Sequence, residues 1–148
     1  VSKQQKLINP TTGTTCFGFV PAIHELDTER APIYLLKGYH VGGGAGQGQG
    51  FGEKHILAAH RKEMAAARCK DVAEYVAKHV YAGVPVCHEG GFSSRKRVLA
   101  MRHKRAIVVL EYREASRHQE AYWNVVTAYV RGNGLPAAEL GSIEAADS

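Results

Sequence analysis

Three mostly apolar runs, Val98–Met101, Ala106–Tyr112 and Ala121–Val130, the last two rich in β-branched and aromatic residues, follow one another with polar breaks between them. Runs of that length with hairpin-like breaks predict consecutive antiparallel strands, and this constrains the fold more than any other feature. Upstream the period changes. Ile56, His60 and Met64 recur at helical spacing with Leu57 beside them, which predicts a helix from Gly52 to about Met64. Asp71 with Glu74 resembles a capping box, and Val72, Tyr75, Val76, His79 and Val80 form one periodic face. Gly83 and Pro85 then stop that helix, so it is expected over Asp71–Ala82. Ile33–Val41 reads as a strand and Cys16–Val20 as a short strand or collapsed loop. Strand, helices, then meander predicts an α+β fold with the N-terminal helices packed on one face of an antiparallel sheet. Residues 1–32 are expected to be a loosely ordered lead-in, 33–131 the functional domain and 132–148 a frayed tail.

The chain of 148 residues suffices for one domain with a real core. Its formal net charge of +5 fits a polyanionic partner without requiring one. Cys16, Cys69 and Cys87 are odd in number, far apart and form no CxxC, so neither a zinc ribbon nor a disulfide framework is indicated. No apolar run approaches the ~20 residues of a membrane span, so no membrane partner is expected. No signal peptide is visible at the start. The chain starts at Val1, not Met, and the expectation is a piece cut from a longer polypeptide.

Chemistry-bearing residues collect around Gly50-Phe-Gly-Glu-Lys-His-Ile-Leu-Ala-Ala-His60. Gly42–Gly52 holds seven glycines in eleven residues. It reads as a flexible connector, or as a flap beside a site ending at a helix whose first amides can hold a phosphate. His55 and His60, five residues apart, are about 140° apart around a helix. The spacing is not HExxH, and no Asp/Glu/His cluster completes a metal site, so neither metal nor cofactor is expected. His60 reads either as catalytic or as a hydrogen-bonded histidine at a helix–sheet boundary. His55, nearer the helix start, is favoured as a neutral base. Arg95–Arg105 carries six Lys/Arg in eleven residues, either a solvated hairpin or a phosphate-binding edge. On the last strand, alternation puts Trp123, Val125, Thr127 and Tyr129 on one face and Tyr122, Asn124, Val126, Ala128 and Val130 on the other.

Strand with Lys-Gly, glycine-rich loop, Gly-Phe-Gly-x-Lys-His-Ile-x-x-x-His, second helix, basic hairpin and Tyr-Trp-Asn-Val-Val-Thr-Ala-Tyr together resemble the barnase/EndoU/colicin/RelE-like (BECR) ribonuclease superfamily. The likeness is to versions in phage proteins and at the C-termini of bacterial polymorphic and contact-dependent toxins, and covers roughly residues 33–131. It implies a metal-independent endoribonuclease, often acting on transfer RNA, delivered to the cytoplasm of a target cell and blocked by a cognate immunity protein. An acidic surface on that immunity protein would match the basic hairpin. The resemblance places catalytic groups at His55, His60, Lys54, Thr127 and Tyr129, and substrate-binding groups at Arg102 and Arg105, with Arg95 and Lys96 in the same basic segment. In the mechanism so implied, His55 takes the 2′-hydroxyl proton and His60 or Tyr129 protonates the leaving oxygen. The alternative is a non-catalytic RNA- or protein-binding module whose histidines are structural.

Overall fold

The computed structural model describes residues 2–41, 49–88, 96–103, 106–130 and 138–146, with Gln49, Glu63, Arg102, His103, Tyr129 and Val130 described by their backbone alone. Arg95 and Arg105 lie outside the described residues.

The three predicted late strands form as β6 (Arg97–His103), β7 (Ala106–Arg113) and β8 (Tyr122–Val130). Each pairs antiparallel with the next, as alternation and short connections require. They form the middle of a seven-stranded sheet that also contains β1 (Phe19–Val20), β2 (Ala31–Tyr34), β5 (Pro85–His88) and β9 (Glu139–Ser142), in the order β1-β2-β8-β7-β6-β5-β9. A two-stranded hairpin, β3 (Tyr39–Val41) with β4 (Gln49–Phe51), stands apart from that sheet.

Helices on one face of an antiparallel sheet is therefore not the architecture. β2 runs parallel to β8, so the sheet is mixed. It also curls until its edges nearly meet: Phe19 and Glu144 exchange backbone hydrogen bonds of 3.0 and 2.8 Å. The result is barrel-like. The physical reason lies in the segments expected to be lead-in and tail. Phe17, Val20, Ile23 and Ile143 are apolar and buried, and burying them adds strands at both edges of the meander. The boundary expected after residue 32 falls inside β2. Residues before it also pair: Leu7 N–H donates to the Leu35 carbonyl and Lys37 N–H to the Gln5 carbonyl, at 2.8 and 2.9 Å.

The helices are shorter than expected. α1 covers Gly52–Ala59 and ends at His60, where the backbone leaves helical geometry; α2 (Arg61–Ala66) follows. α3 covers Val72–His79. Asp71 caps it, accepting a 2.8 Å hydrogen bond from Glu74 N–H, as the capping signature requires. The larger core lies on one face of the sheet, where Ile56 of α1 and Val72, Tyr75 and Val76 of α3 meet Ile33, Val86, Val108, Leu110, Trp123 and Val125. A smaller cluster on the opposite face joins Leu99, Met101, Ile107, Val109, Tyr122 and Val126 to Leu36 and Phe51. That second face carries the candidate site.

Candidate functional site

A cavity of about 940 Å³ opens over the second face. Its floor comes from Arg97, Glu111, Arg113, Tyr122, Asn124, Val126 and Thr127 of β6, β7 and β8. Its walls come from the N-terminal segment (Lys3, Gln4), the β3–β4 hairpin (Tyr39, Gly50, Phe51), Leu36 and His55.

Two glycines set the position of His55. Gly38 and Gly52 both adopt left-handed backbone, with φ of 70° and 77°, and each lies against the other strand's backbone. This corner turns the chain directly from β4 into α1. The Glu53 and Lys54 N–H groups then donate to the carbonyls of Leu36 and Lys37, at 2.9 and 3.0 Å. The amides expected to hold a phosphate at the start of α1 are thus already occupied. Successive helical residues lie 100° apart, so α1 buries Ile56 in the main core while His55 faces the cavity.

His55 is only 6% exposed. Its Nδ1 lies 2.9 Å from Nδ1 of His40, on β3. Burial holds its pKa below the ordinary histidine value, and the nearby His40 and His60 rings lower it further. Geometry sets a second limit. One proton between the two Nδ1 atoms makes a hydrogen bond, but a pair with both rings doubly protonated would point two N–H donors at each other.

A pH dependence of stability follows. The unfolded chain binds the His55 proton at the ordinary value of 6.5, and the folded chain binds it only at lower pH. The stability that His55 contributes is complete above that value and is lost as pH falls through the lowered one. Denaturant unfolding at a series of pH values is expected to show stability falling below pH 6.5, with a shallower slope in His55→Asn. Identical slopes for the two proteins would contradict this assignment.

Opposite the histidines, Glu111 is buried between two arginines. Its Oε2 lies 2.7 Å from Arg97 Nε and its Oε1 lies 3.2 Å from an Arg113 terminal nitrogen. Two guanidiniums around one carboxylate leave net positive charge on the floor, and Lys3 adds to it at the rim. Tyr122 is buried, and desolvation raises its pKa despite the opposing field of Arg113, so it remains a protonated phenol.

The site residues expected from the sequence divide by location. His55 and Thr127 line the cavity. His60 is half-buried at the end of α1, with its ring centroid 6.3 Å from that of His55. Lys54 is exposed, away from the cavity lining. Lys96 also lies outside the lining and is held by Glu114 at 2.8 Å, which raises its pKa. Arg102 is the unpaired residue of a bulge near the far end of β6, beyond the Leu99–Val109 row. The Tyr129 side chain, like that of Arg102, lies outside what is described.

The simple alternation read for β8 fails at one point. Val109 pairs with Thr127 but Leu110 pairs with Val125, so Val126 is an extra residue. Such a bulge shifts the side-chain alternation of everything beyond it. Trp123 and Val125 face the main core, while Thr127 joins Tyr122, Asn124 and Val126 at the cavity. Sequence reasoning therefore missed Tyr122 and Asn124 as site residues, along with His40, Arg97, Glu111 and Arg113. Arg97 sat within the basic segment already singled out, and His40 sat next to the glycine-rich stretch; nothing marked the others.

Among the described residues, no three His, Cys, Asp or Glu side chains gather closely enough to hold a metal ion, and no helix is long and apolar enough to cross a membrane. Compared with known proteins, the chain matches no family model, no curated protein and no solved structure.

Proposed function

We propose that the chain is a metal-independent endoribonuclease that cleaves RNA by attack of a ribose 2′-hydroxyl on the adjacent phosphorus. The observation that carries this reading is His55, buried on the wall of a cavity whose floor is cationic and hydrogen-bonded to the half-buried His40. The scaffold implied by the BECR resemblance is not the one found, so the support is the chemistry of the cavity and the motif around His55.

Two neutral imidazoles joined through Nδ1–H···Nδ1 are necessarily opposite tautomers: one has a bare Nε2, the other an Nε2–H. When His55 is the Nδ1 donor, its Nε2 is a base. It accepts the 2′-hydroxyl proton and passes its Nδ1 proton to His40, so the ring never holds a full charge in its buried position. The 2′-oxygen bonds to phosphorus, the bond from phosphorus to the 5′-oxygen breaks, and that oxygen takes a proton from His60 or Tyr122. Products are a 2′,3′-cyclic phosphate and a 5′-hydroxyl. Arg97, Arg113 and Lys3 offset the charge that develops on the phosphoryl oxygens. Transfer RNA as substrate, delivery into a target cell and an acidic immunity protein belong to the same proposal; the formal net charge of +5 supports the last of these.

The test is cleavage of total bacterial RNA by the purified chain in EDTA, followed by a substrate carrying one 2′-deoxy nucleotide at the mapped cut. Wild type is expected to cut discretely without metal and to spare the deoxy substrate. Cutting at the deoxy position would overturn the mechanism, and no cleavage of any RNA would favour a non-catalytic binding module.

A further inference from the structure

We propose that Asn124, Thr127 and Tyr122 form a subsite that reads the edge of one nucleobase; its role in setting a cleavage site rests on the ribonuclease reading. Asn124 is fully buried on β8, and among the described residues neither its side-chain nitrogen nor its oxygen has a hydrogen-bond partner. The Thr127 hydroxyl oxygen is likewise buried and unpaired. Buried polar atoms are rarely left so, and here both residues line the same cavity.

The surroundings explain what these atoms are available for. Asn124 stands in a cross-strand row with Arg97, Glu111 and Tyr34. Arg97 and Arg113 hold Glu111, and no bond of that row reaches the amide. A carboxamide presents one donor and one acceptor side by side. The complement is an acceptor next to a donor, as amino group and ring nitrogen on adenine or cytosine and in the reverse order, as carbonyl and ring N–H, on guanine or uracil, so an amide packed in one orientation separates the two pairs. Tyr122 adds an aromatic ring at the same cavity, 5.6 Å from the Tyr34 ring, and unpaired bases in RNA are held by stacking on such rings. Arg97, Arg113 and Lys3 supply positive charge for the attached phosphate. An edge-reading amide, a stacking ring and cations around one cavity describe a nucleotide better than a sugar or a peptide.

Binding of the four 3′-nucleoside monophosphates, measured by calorimetry in EDTA, tests the subsite without requiring cleavage. Wild type is expected to favour its best base over its poorest by about tenfold or more, the discrimination of one bidentate contact. Asn124→Leu should bring the four within about twofold, while phosphate-driven binding remains. It should also raise the melting temperature, because two unpaired buried polar atoms are gone. Thr127→Val should weaken the same preference and serves if the leucine variant does not fold. Equal binding of all four bases by wild type, or a preference that survives both variants, would overturn the proposal. So would a lower melting temperature in a folded Asn124→Leu, which would mean that the amide holds a structural water. RNA cleavage without base-selective binding would sink the subsite alone. Base-selective binding without cleavage would sink the ribonuclease reading alone.

Discussion

His55→Ala is expected to lower RNA cleavage by about 10²–10⁴-fold, the usual contribution of a positioned general base, while the chain stays folded. The ring is 6% exposed, and its Nδ1 contacts the half-buried His40, to which water can return when the ring is removed. The loss of stability should therefore remain near that of one hydrogen bond, about 1 kcal/mol, plus the small void. His40→Gln provides the finer test. It removes a group that lowers the His55 pKa, so the acidic limb of the rate profile should move up, toward pH 6.5. Cleavage should fall most below that pH and least above it. Unchanged cleavage in His55→Ala would remove the ribonuclease mechanism. An unmoved acidic limb in His40→Gln would remove the relay and leave His55 as a lone base.

The two levels of structure were legible to different degrees. Alternation and β-formers located β6, β7 and β8, and Asp71 with Glu74 marked the start of α3, because those signals are local. The edges were not legible. Pro85 reads as the stop of a helix, yet it opens β5, and Glu139–Ser142 lies in a stretch without periodicity, yet it pairs with β5. A period of two tells which face a residue takes but not which strand lies beside it. The parallel pairing of β2 with β8 was hidden for that reason, and with it the barrel-like closure. At the site, Lys-His-Ile pointed to His55, but His40 acquires its meaning only when β3 folds back on β4 across the glycine-rich stretch. One extra residue, Val126, moved Thr127 to the face of Tyr122 and Asn124, and no composition signal announces a bulge between two β-branched residues.

Gly52→Ala is expected to destabilise the fold by about 2–4 kcal/mol, combining a left-handed backbone with overpacking. Gly52 has a φ of 77°, and a Cβ there would collide with the Leu36 carbonyl, which accepts the 2.9 Å hydrogen bond from Glu53 N–H. Gly38→Ala should act similarly, because its Cβ would collide with the Phe51 carbonyl. Backbone cannot swing aside as a flexible side chain can, so the corner itself must open. Gly83 separates the two causes: its φ is 96°, but nothing lies within 4 Å of a Cβ built there. Gly83→Ala should thus lose only the conformational part, about 1 kcal/mol. For a domain of this size the difference between the variants corresponds to roughly 3–10 °C in melting temperature. The corner also carries His55 to the cavity wall, so Gly52→Ala should lose cleavage even under conditions where it remains folded, whereas Gly83→Ala should retain it. Equal melting temperatures for the two variants would show that the close approach of Gly52 to Leu36 contributes nothing. Full cleavage by a folded Gly52→Ala would show that α1 reaches its position without this corner.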